Sequence, residues 1–146
     1  MKFTKSILAF IAAVAVAYLL ISIMGTQFVL ADVETYGLVV SLTDRLAATL
    51  HDIYGLVPVL LILVSTTFFI AFIIASICKQ FIGGQRRYWF LVAGFVSLPV
   101  TMKLVKLAMG VTPFAMAGTA FGLLLIALSG LAGSWVYVRL SQVQEN

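Results

Sequence analysis

The sequence predicts an all-α membrane protein, with four transmembrane helices in an antiparallel bundle and a short amphipathic helix in the first outward-facing loop. Hydrophobic residues make up 63% of the 146 residues, charged residues make up 10%, and the mean hydropathy is +1.17. Such a chain has too few polar side chains to cover a water-soluble domain. Its apolar segments are also too long for barrel strands, so helices are the structure that satisfies their backbone hydrogen bonds in lipid.

Four apolar segments are long enough to cross a membrane. A helix needs about 20 residues to do so, since the hydrocarbon core is about 30 Å thick and a helix rises about 1.5 Å per residue. We expect one domain over residues 1–146, with an outward loop at about 29–54 and membrane spans at about 6–28, 55–78, 88–109 and 113–138.

The first span has a second interpretation as a cleaved signal peptide. Lys2 and Lys5 precede its apolar residues, and residues 29–31 (Val-Leu-Ala) resemble a cleavage site. However, the apolar stretch at 7–24 is longer than the apolar region of a signal peptide, which is about 7–15 residues. We therefore expect the first span to remain as an anchor.

The outward loop contains the pattern of a short amphipathic helix. Ser41 and Asp44 have the spacing of a capping box, in which each side chain bonds the other residue's backbone N–H. Such a helix would lie flat on the outward surface of the membrane, where it either caps the bundle or docks a partner. Apolar residues recur at helical spacing after the cap, at Leu42, Leu46, Leu50 and Ile53.

The third span and the turn after it contain residues that bend or end helices. Pro99 removes a backbone hydrogen bond within the span, and we expect a static kink there. Gly110 can adopt the left-handed conformation that ends a helix. Thr112 can then cap the fourth helix, with Pro113 in its first turn. These features predict a tight hairpin of the last two spans.

The basic residues predict the orientation, because short loops rich in Lys and Arg stay in the cytoplasm. The outward side carries three basic residues, Arg45, Lys103 and Lys106, together with most of the acidic residues. We therefore expect both termini in the cytoplasm, and we place the protein in a bacterial inner membrane. The side expected to be cytoplasmic carries Lys2, Lys5, Lys79, Arg86, Arg87, Arg139 and Glu145.

Lys103 and Lys106 are the most informative polar residues, since they lie near the outward end of the third span. They are about 22 Å and about 27 Å from Tyr88 at a rise of about 1.5 Å per residue. We expect ion pairs between these lysines and the acidic residues of the outward loop, which are Asp32, Glu34, Asp44 and Asp52. A site for an anionic substrate or lipid, and snorkelling of both lysines to water, are the alternatives.

We call Lys103, Lys106, Asp44, Asp52 and His51 the candidate outward charge cluster. Together with Asp44 and Asp52, His51 forms the set of residues that most resembles a metal or proton-relay site. The second His or Cys that is typical of zinc sites is missing from the set. We therefore expect a solvated loop histidine, with no metal and no cofactor.

The fourth span carries a stripe of small residues that predicts close helix packing. Gly118 and Gly122 form a Gly-xxx-Gly pair, which lets two helix backbones approach each other. Ala115 precedes this pair, and Ser129 and Gly133 continue the stripe. We expect the stripe to pack within the chain, and packing against a second copy is the alternative.

The polar residues of the spans favour a non-enzymatic function. The middle of each span has no Asp, Glu, His or Arg, and proton- or ion-coupled transporters normally need one. We expect an accessory or scaffold subunit that acts through helix–helix and loop contacts. Its partners would be the lipid bilayer and a membrane protein or a second copy, but no nucleic acid. The alternative is a small oligomeric transporter or pore for an anionic or lipophilic solute.

Overall fold

The computed structural model describes residues 2–142, and it describes the side chains of residues 4–141. This part of the chain is all-helical, with five α-helices and no strand, as the sequence predicts. Two residues of the predicted cytoplasmic charge set are not covered, because Glu145 and the side chain of Lys2 lie outside the described residues. The helices are α1 (Lys2–Thr35), α2 (Leu42–Gly55), α3 (Ile62–Ile82), α4 (Arg86–Met109) and α5 (Ala120–Gln142).

Four of these helices, α1, α3, α4 and α5, are long and apolar enough to cross a membrane. The prediction of four apolar spans is therefore confirmed. α2 is the fifth helix and lies between the first two spans in the sequence. We call the end of the molecule that holds α2 the α2 end, and the end that holds the start of α1 the opposite end.

α1 continues further than the sequence predicts. Residues 29–35, which were expected to belong to the outward loop, form its last two turns. The segment contains no Gly or Pro that would stop the helix, and the helix ends where Gly37 takes a φ of 83°. The N–H of Gly37 donates to the carbonyl of Glu34 at 3.0 Å, which closes the end. The loop before α2 is short as a result.

The start of the fourth span also differs from the expectation. Gly110 ends α4 in the left-handed conformation, as predicted, but the next helix does not begin at Pro113. Residues 113–119 instead contain a single 3₁₀ turn, Ala115–Gly118, and α5 begins at Ala120. The cap is Thr119, whose Oγ1 accepts a hydrogen bond from the N–H of Gly122 at 3.0 Å, so the prediction for Thr112 is wrong.

α5 is the central helix of the arrangement. α1 and α4 each pack along it, α3 packs on α4, and α2 packs on α1. At the α1 contact, a Cβ placed on Gly133 would lie 2.7 Å from the carbonyl oxygen of Ala13. The two backbones can approach this closely only because Gly133 has no side chain.

An aromatic cluster fills the core between α3, α4 and α5. The rings of Phe72 and Tyr137 are 4.5 Å apart, and the rings of Phe68 and Phe72 are 5.2 Å apart. Phe90 stacks on Tyr137 at 5.3 Å, and Phe10 of α1 meets the edge of Phe72 at 6.1 Å. Contacts of this kind contribute about 0.5–1.5 kcal/mol per pair beyond the burial of apolar area. The cluster therefore fixes α3, α4 and α5 relative to one another.

Candidate functional site

The five residues of the predicted outward charge cluster do not come together. Lys103 and Lys106 are exposed on α4, and within residues 2–142 α2 has no contact with α4. Neither lysine has an ion pair or hydrogen bond to any side chain that the structure describes. The physical reason is the position of α2, which packs against α1 and so carries Asp44 and Asp52 away from α4.

Asp44 caps α2 instead of pairing with a lysine. Its Oδ2 accepts hydrogen bonds from the Ser41 hydroxyl at 2.6 Å and from the Ser41 N–H at 3.1 Å. The N–H of Asp44 donates in return to Ser41 Oγ at 3.2 Å, so the predicted capping box is present. The bonds from Ser41, first from its hydroxyl and then from its backbone, hold the pKa of Asp44 below its ordinary value.

His51 is an exposed residue of α2. In the part of the chain that the structure describes, no group of three or more His, Cys, Asp and Glu residues is placed to hold a metal ion. Asp52 is the member of the cluster that lines a cavity and bonds another helix.

Asp52 faces α1 and a cavity that is partly open to the surface. Its Oδ2 accepts a hydrogen bond from the Thr26 hydroxyl at 2.7 Å. The same hydroxyl lies 2.9 Å from the carbonyl oxygen of Ser22. Asp52 lines a cavity of about 200 Å³ at the α2 end, and we call this space the Asp52 cavity.

A series of polar contacts explains why α2 lies on α1. The hydroxyl of Tyr18 donates to the carbonyl of Ile53, close to the contact between Thr26 and Asp52. Further along, Gln27 Nε2 donates to Thr49 Oγ1 at 3.1 Å. Arg45 donates to Gln27 Oε1 at 2.9 Å and pairs with Glu34 at 2.6 Å. These bonds fold α2 back along the last turns of α1.

Sequence reasoning missed the α1 side of this contact, although a signal was present. Tyr18, Ser22 and Thr26 are spaced by four residues, which puts three hydroxyl groups on one face of an otherwise apolar helix. All three residues are buried in the structure. The hydroxyls of Tyr18 and Thr26 bond α2, whereas the hydroxyl of Ser22 has no hydrogen-bond partner among the described residues. A polar stripe within a span is a sign of contact with another helix, and it would have pointed to α2 or to another polar partner.

The Asp52 cavity has apolar walls from three parts of the chain. One wall is α1, one is the segment that joins α2 to α3, and one is the irregular segment before α5. The joining segment contains a π-helical turn, Val57–Leu61, with Pro58 near its start. Besides Asp52 and Thr26, the lining residues are Ile21, Gly25, Val29, Leu56, Leu60, Pro113, Phe114, Ala115 and Met116.

The exposed surface of α3 and α4 carries polar groups beside a groove. Thr67 donates to Thr101 Oγ1 at 3.1 Å across the two helices. Thr66 is exposed next to this pair, and its hydroxyl bonds no group in the part of the chain described by the structure. Two adjoining hollows of about 430 Å³ and about 280 Å³ follow the seam between the helices, and we call them the α3/α4 groove.

A second lateral opening lies between α1 and α3 at the opposite end of the molecule, because these helices contact each other only briefly. It has a volume of about 510 Å³, and we call it the α1/α3 crevice. Its walls include the rings of Phe10, Phe69, Phe72 and Tyr137, with Ser6, Ser76 and Gln80 among the polar residues that line it.

The residues of the predicted small-residue stripe lie in different environments. Gly118 ends the 3₁₀ turn, where a Cβ would meet nothing nearer than Thr112 Cγ2 at 4.0 Å. Gly122 lies against the backbone of Met116, which belongs to the 3₁₀ turn just before α5 and not to another membrane helix. Ser129 is buried and donates to the carbonyl of Leu125 at 2.9 Å. Of the stripe, Gly133 is the residue at a close helix–helix contact, with α1.

The close approach of α4 to α5 uses residues outside the predicted stripe. A Cβ placed on Gly94 would lie 2.6 Å from the carbonyl oxygen of Gly130 and would also overlap Ser134. Pro99, the predicted kink, lies within α4, which continues as a helix on both sides of it. Ser97 Oγ is 3.5 Å from the carbonyl oxygen of Gly94, one turn before Pro99.

No protein-family model matches this chain, and no curated protein or solved structure matches it significantly.

Proposed function

We propose that the protein is an integral inner-membrane protein of a bacterium that works as a non-enzymatic accessory or scaffold subunit. Its four spans form an antiparallel bundle with both termini in the cytoplasm. α2 lies as an amphipathic helix at the outward surface. The support for this topology is the asymmetry of basic residues together with the short connections between α3, α4 and α5.

The observation that carries the functional proposal is the exposed Thr66 hydroxyl beside the α3/α4 groove. A hydroxyl without a partner on a membrane-facing surface is unfavourable, since hydrocarbon offers no hydrogen bond. Hydroxyl groups between membrane helices form interhelical hydrogen bonds. The groove is therefore a docking surface for one transmembrane helix of a partner membrane protein, which bonds Thr66.

The charges on α4 specify the chemistry of this partner. Lys103 is exposed on the outward face of α4, and Lys106 is exposed one turn further along. Both lie near the α2 end of the span and lack an acidic partner within the described side chains. The docked helix therefore carries an acidic residue near the outward boundary of the membrane, where it pairs with one of these lysines.

Site-specific photocrosslinking in cells tests this docking surface. A photoreactive residue placed at Thr66 should give one discrete adduct, and the variant Lys103→Glu should abolish it. The matched control is a photoreactive residue at Phe69, which is exposed on the α1/α3 side of the same helix and should give no such adduct. Equal adducts at both positions would contradict the proposal. An adduct between two copies of the chain would show that the docked helix belongs to a second copy and not to a different protein.

Reporter fusions test the topology independently. A reporter that is active only outside the cytoplasm should be active after Gly37 and inactive after Gly84, because these glycines lie in loops at different ends of the spans. The reverse pattern would invert the proposed orientation. An inverted orientation would not change the contacts between the helices.

A second candidate function is supported by the α1/α3 crevice. A small oligomeric transporter or pore for an anionic or lipophilic solute would use a lateral opening with aromatic walls such as this one. Efflux of a fluorescent lipophilic anion, anilinonaphthalene sulfonate, from vesicles reconstituted with the protein tests it. Efflux that requires the protein and is lost in Ile73→Trp, which fills part of the crevice from an exposed position, would favour the transporter over the scaffold.

A further inference from the structure

The Asp52 cavity has the properties of a built pocket. Ile21, Leu60 and Met116 are each at most 1% exposed and close its inner side. Its outer side is open to the surface, where Val29 is 42% exposed, and its volume is about 200 Å³. A cavity of about 150 Å³ is already large enough to bind benzene. This space can therefore hold a small organic molecule.

Asp52 is the charged residue of the lining, and no cation in the described part of the chain balances it. One carboxylate oxygen, Oδ2, accepts the Thr26 hydroxyl. The other, Oδ1, has no hydrogen-bond donor from any described residue. The basic residue of the same helix, Arg45, is committed to Glu34 and Gln27. Asp52 is half-buried, and a carboxylate with a free oxygen beside apolar walls can pair with a cationic group that enters the cavity.

The backbone around the cavity is irregular on two sides. Leu60 belongs to the π-helical turn, and Met116 belongs to the 3₁₀ turn. π-helical turns are rare and occur frequently at functional sites. Irregular backbone at membrane depth is tolerated where it is buried in protein or lines a cavity. The two turns are thus independent signs that this end of the molecule is shaped around a space.

We propose that the Asp52 cavity binds a small lipophilic amine in its ammonium form. The ammonium group donates to Asp52 Oδ1, and a compact apolar body of roughly six to ten non-hydrogen atoms contacts Val29, Leu56 and Phe114. An anion would be repelled by Asp52. A divalent metal ion requires more oxygen ligands than the single carboxylate and hydroxyl of this lining supply. This inference does not depend on the proposed docking function.

Binding of benzylamine to the purified full-length protein in detergent micelles tests the proposal. Isothermal titration calorimetry should detect saturable binding to the wild type. Asp52→Asn should weaken it about tenfold or more, since a hydrogen bond to a charged group is lost. Asp32→Asn is the matched control, because it removes the same charge from an exposed position at the α2 end outside the lining. It should leave the affinity within about twofold.

A second variant keeps the charge and fills the space. Gly25 lines the cavity, and a Cβ at this position would point toward Met116 Sδ at 3.9 Å. Gly25→Leu should abolish benzylamine binding if the apolar body occupies the cavity, with thermal melting as the check on folding. Equal binding by the wild type and Asp52→Asn, or an equal loss in Asp32→Asn, would overturn the proposal. Full binding by a folded Gly25→Leu protein would also overturn it.

Discussion

Gly94 of α4 and Gly130 of α5 bring the backbones of these two helices into direct contact. A Cβ on Gly94 would lie 2.6 Å from the carbonyl oxygen of Gly130, and a Cβ on Gly130 would lie 2.1 Å from the carbonyl oxygen of Gly94. Cβ atoms in proteins essentially never come this close to a backbone oxygen. The absence of a side chain at both positions is therefore a condition for the packing of α4 on α5, the central helix.

Replacement of Gly94 by Val should destabilise the protein. The new side chain overlaps the Gly130 backbone and Ser134, so α4 must move away from α5. Overpacking of this kind typically costs about 1–3 kcal/mol. Thermal unfolding in detergent micelles should show the loss. Gly118→Ala is the control, because the nearest atom to its Cβ is 4.0 Å away, and equal melting temperatures for the two variants would contradict the packing described here.

The four spans could be predicted from the sequence because a span depends on composition, which is a local property. The contact of Gly94 with Gly130 depends on which helices are neighbours and at what rotation, and the spacing of small residues in one helix does not contain that information. The Gly118 and Gly122 pair has the spacing of a packing motif. The two glycines do not lie on one helix, however, because Gly118 ends the 3₁₀ turn and Thr119 caps the start of α5 before Gly122.

The sequence could not show that the predicted outward charge cluster does not form, and the reason is related. Counting residues along α4 gives a depth for Lys103, but it does not give the direction in which α2 folds. That direction is set by contacts such as Tyr18 with Ile53 and Thr26 with Asp52. Asp52 was identified as a member of a site, whereas its partner was expected on α4 and is found on α1.

Ser134 should tolerate replacement by Ala better than a buried serine normally does. Its hydroxyl is buried without a hydrogen-bond partner among the described residues, and an unsatisfied buried polar group costs about 1–3 kcal/mol. Ser134→Ala should therefore leave the melting temperature unchanged or raise it. The matched variant is Ser129→Ala, which loses a bond of 2.9 Å to the carbonyl of Leu125 and should lower it. The opposite order of the two variants would show that Ser134 has a bonding partner.

Tyr18→Phe should loosen α2 from α1. The Tyr18 hydroxyl donates to the carbonyl of Ile53, which lies in the last turn of α2, where carbonyl groups lack a partner within the helix. Loss of this bond should cost about 0.5–1.5 kcal/mol. Hydrogen exchange of the α2 amides should become faster, with little change in α5. Tyr54→Phe, at an exposed position of the same turn, should leave the exchange rate unchanged. Equally fast exchange in both variants would show that the Tyr18 hydroxyl does not hold α2 in place.

The capping box at the start of α2 makes that helix sensitive to acid. The Ser41 hydroxyl and, after it, the Ser41 N–H hold the pKa of Asp44 below its ordinary value. A depressed folded-state pKa means that the capping bonds stabilise α2 fully above the ordinary aspartate range. This contribution is lost as the pH falls through the depressed pKa of Asp44.

An NMR titration of the Ser41 amide in micelles measures this pKa directly, because that N–H donates to Asp44 Oδ2 at 3.1 Å. Its midpoint should lie below about 3.9, the value of an unperturbed aspartate. Ser41→Ala keeps the backbone donor but removes the hydroxyl, whose bond of 2.6 Å is the larger cause of the depression. The midpoint should then move upward toward the unperturbed value. If it did not move, the hydroxyl of Ser41 would not be the group that stabilises the Asp44 carboxylate, and the N-terminus of α2 would need a different cap.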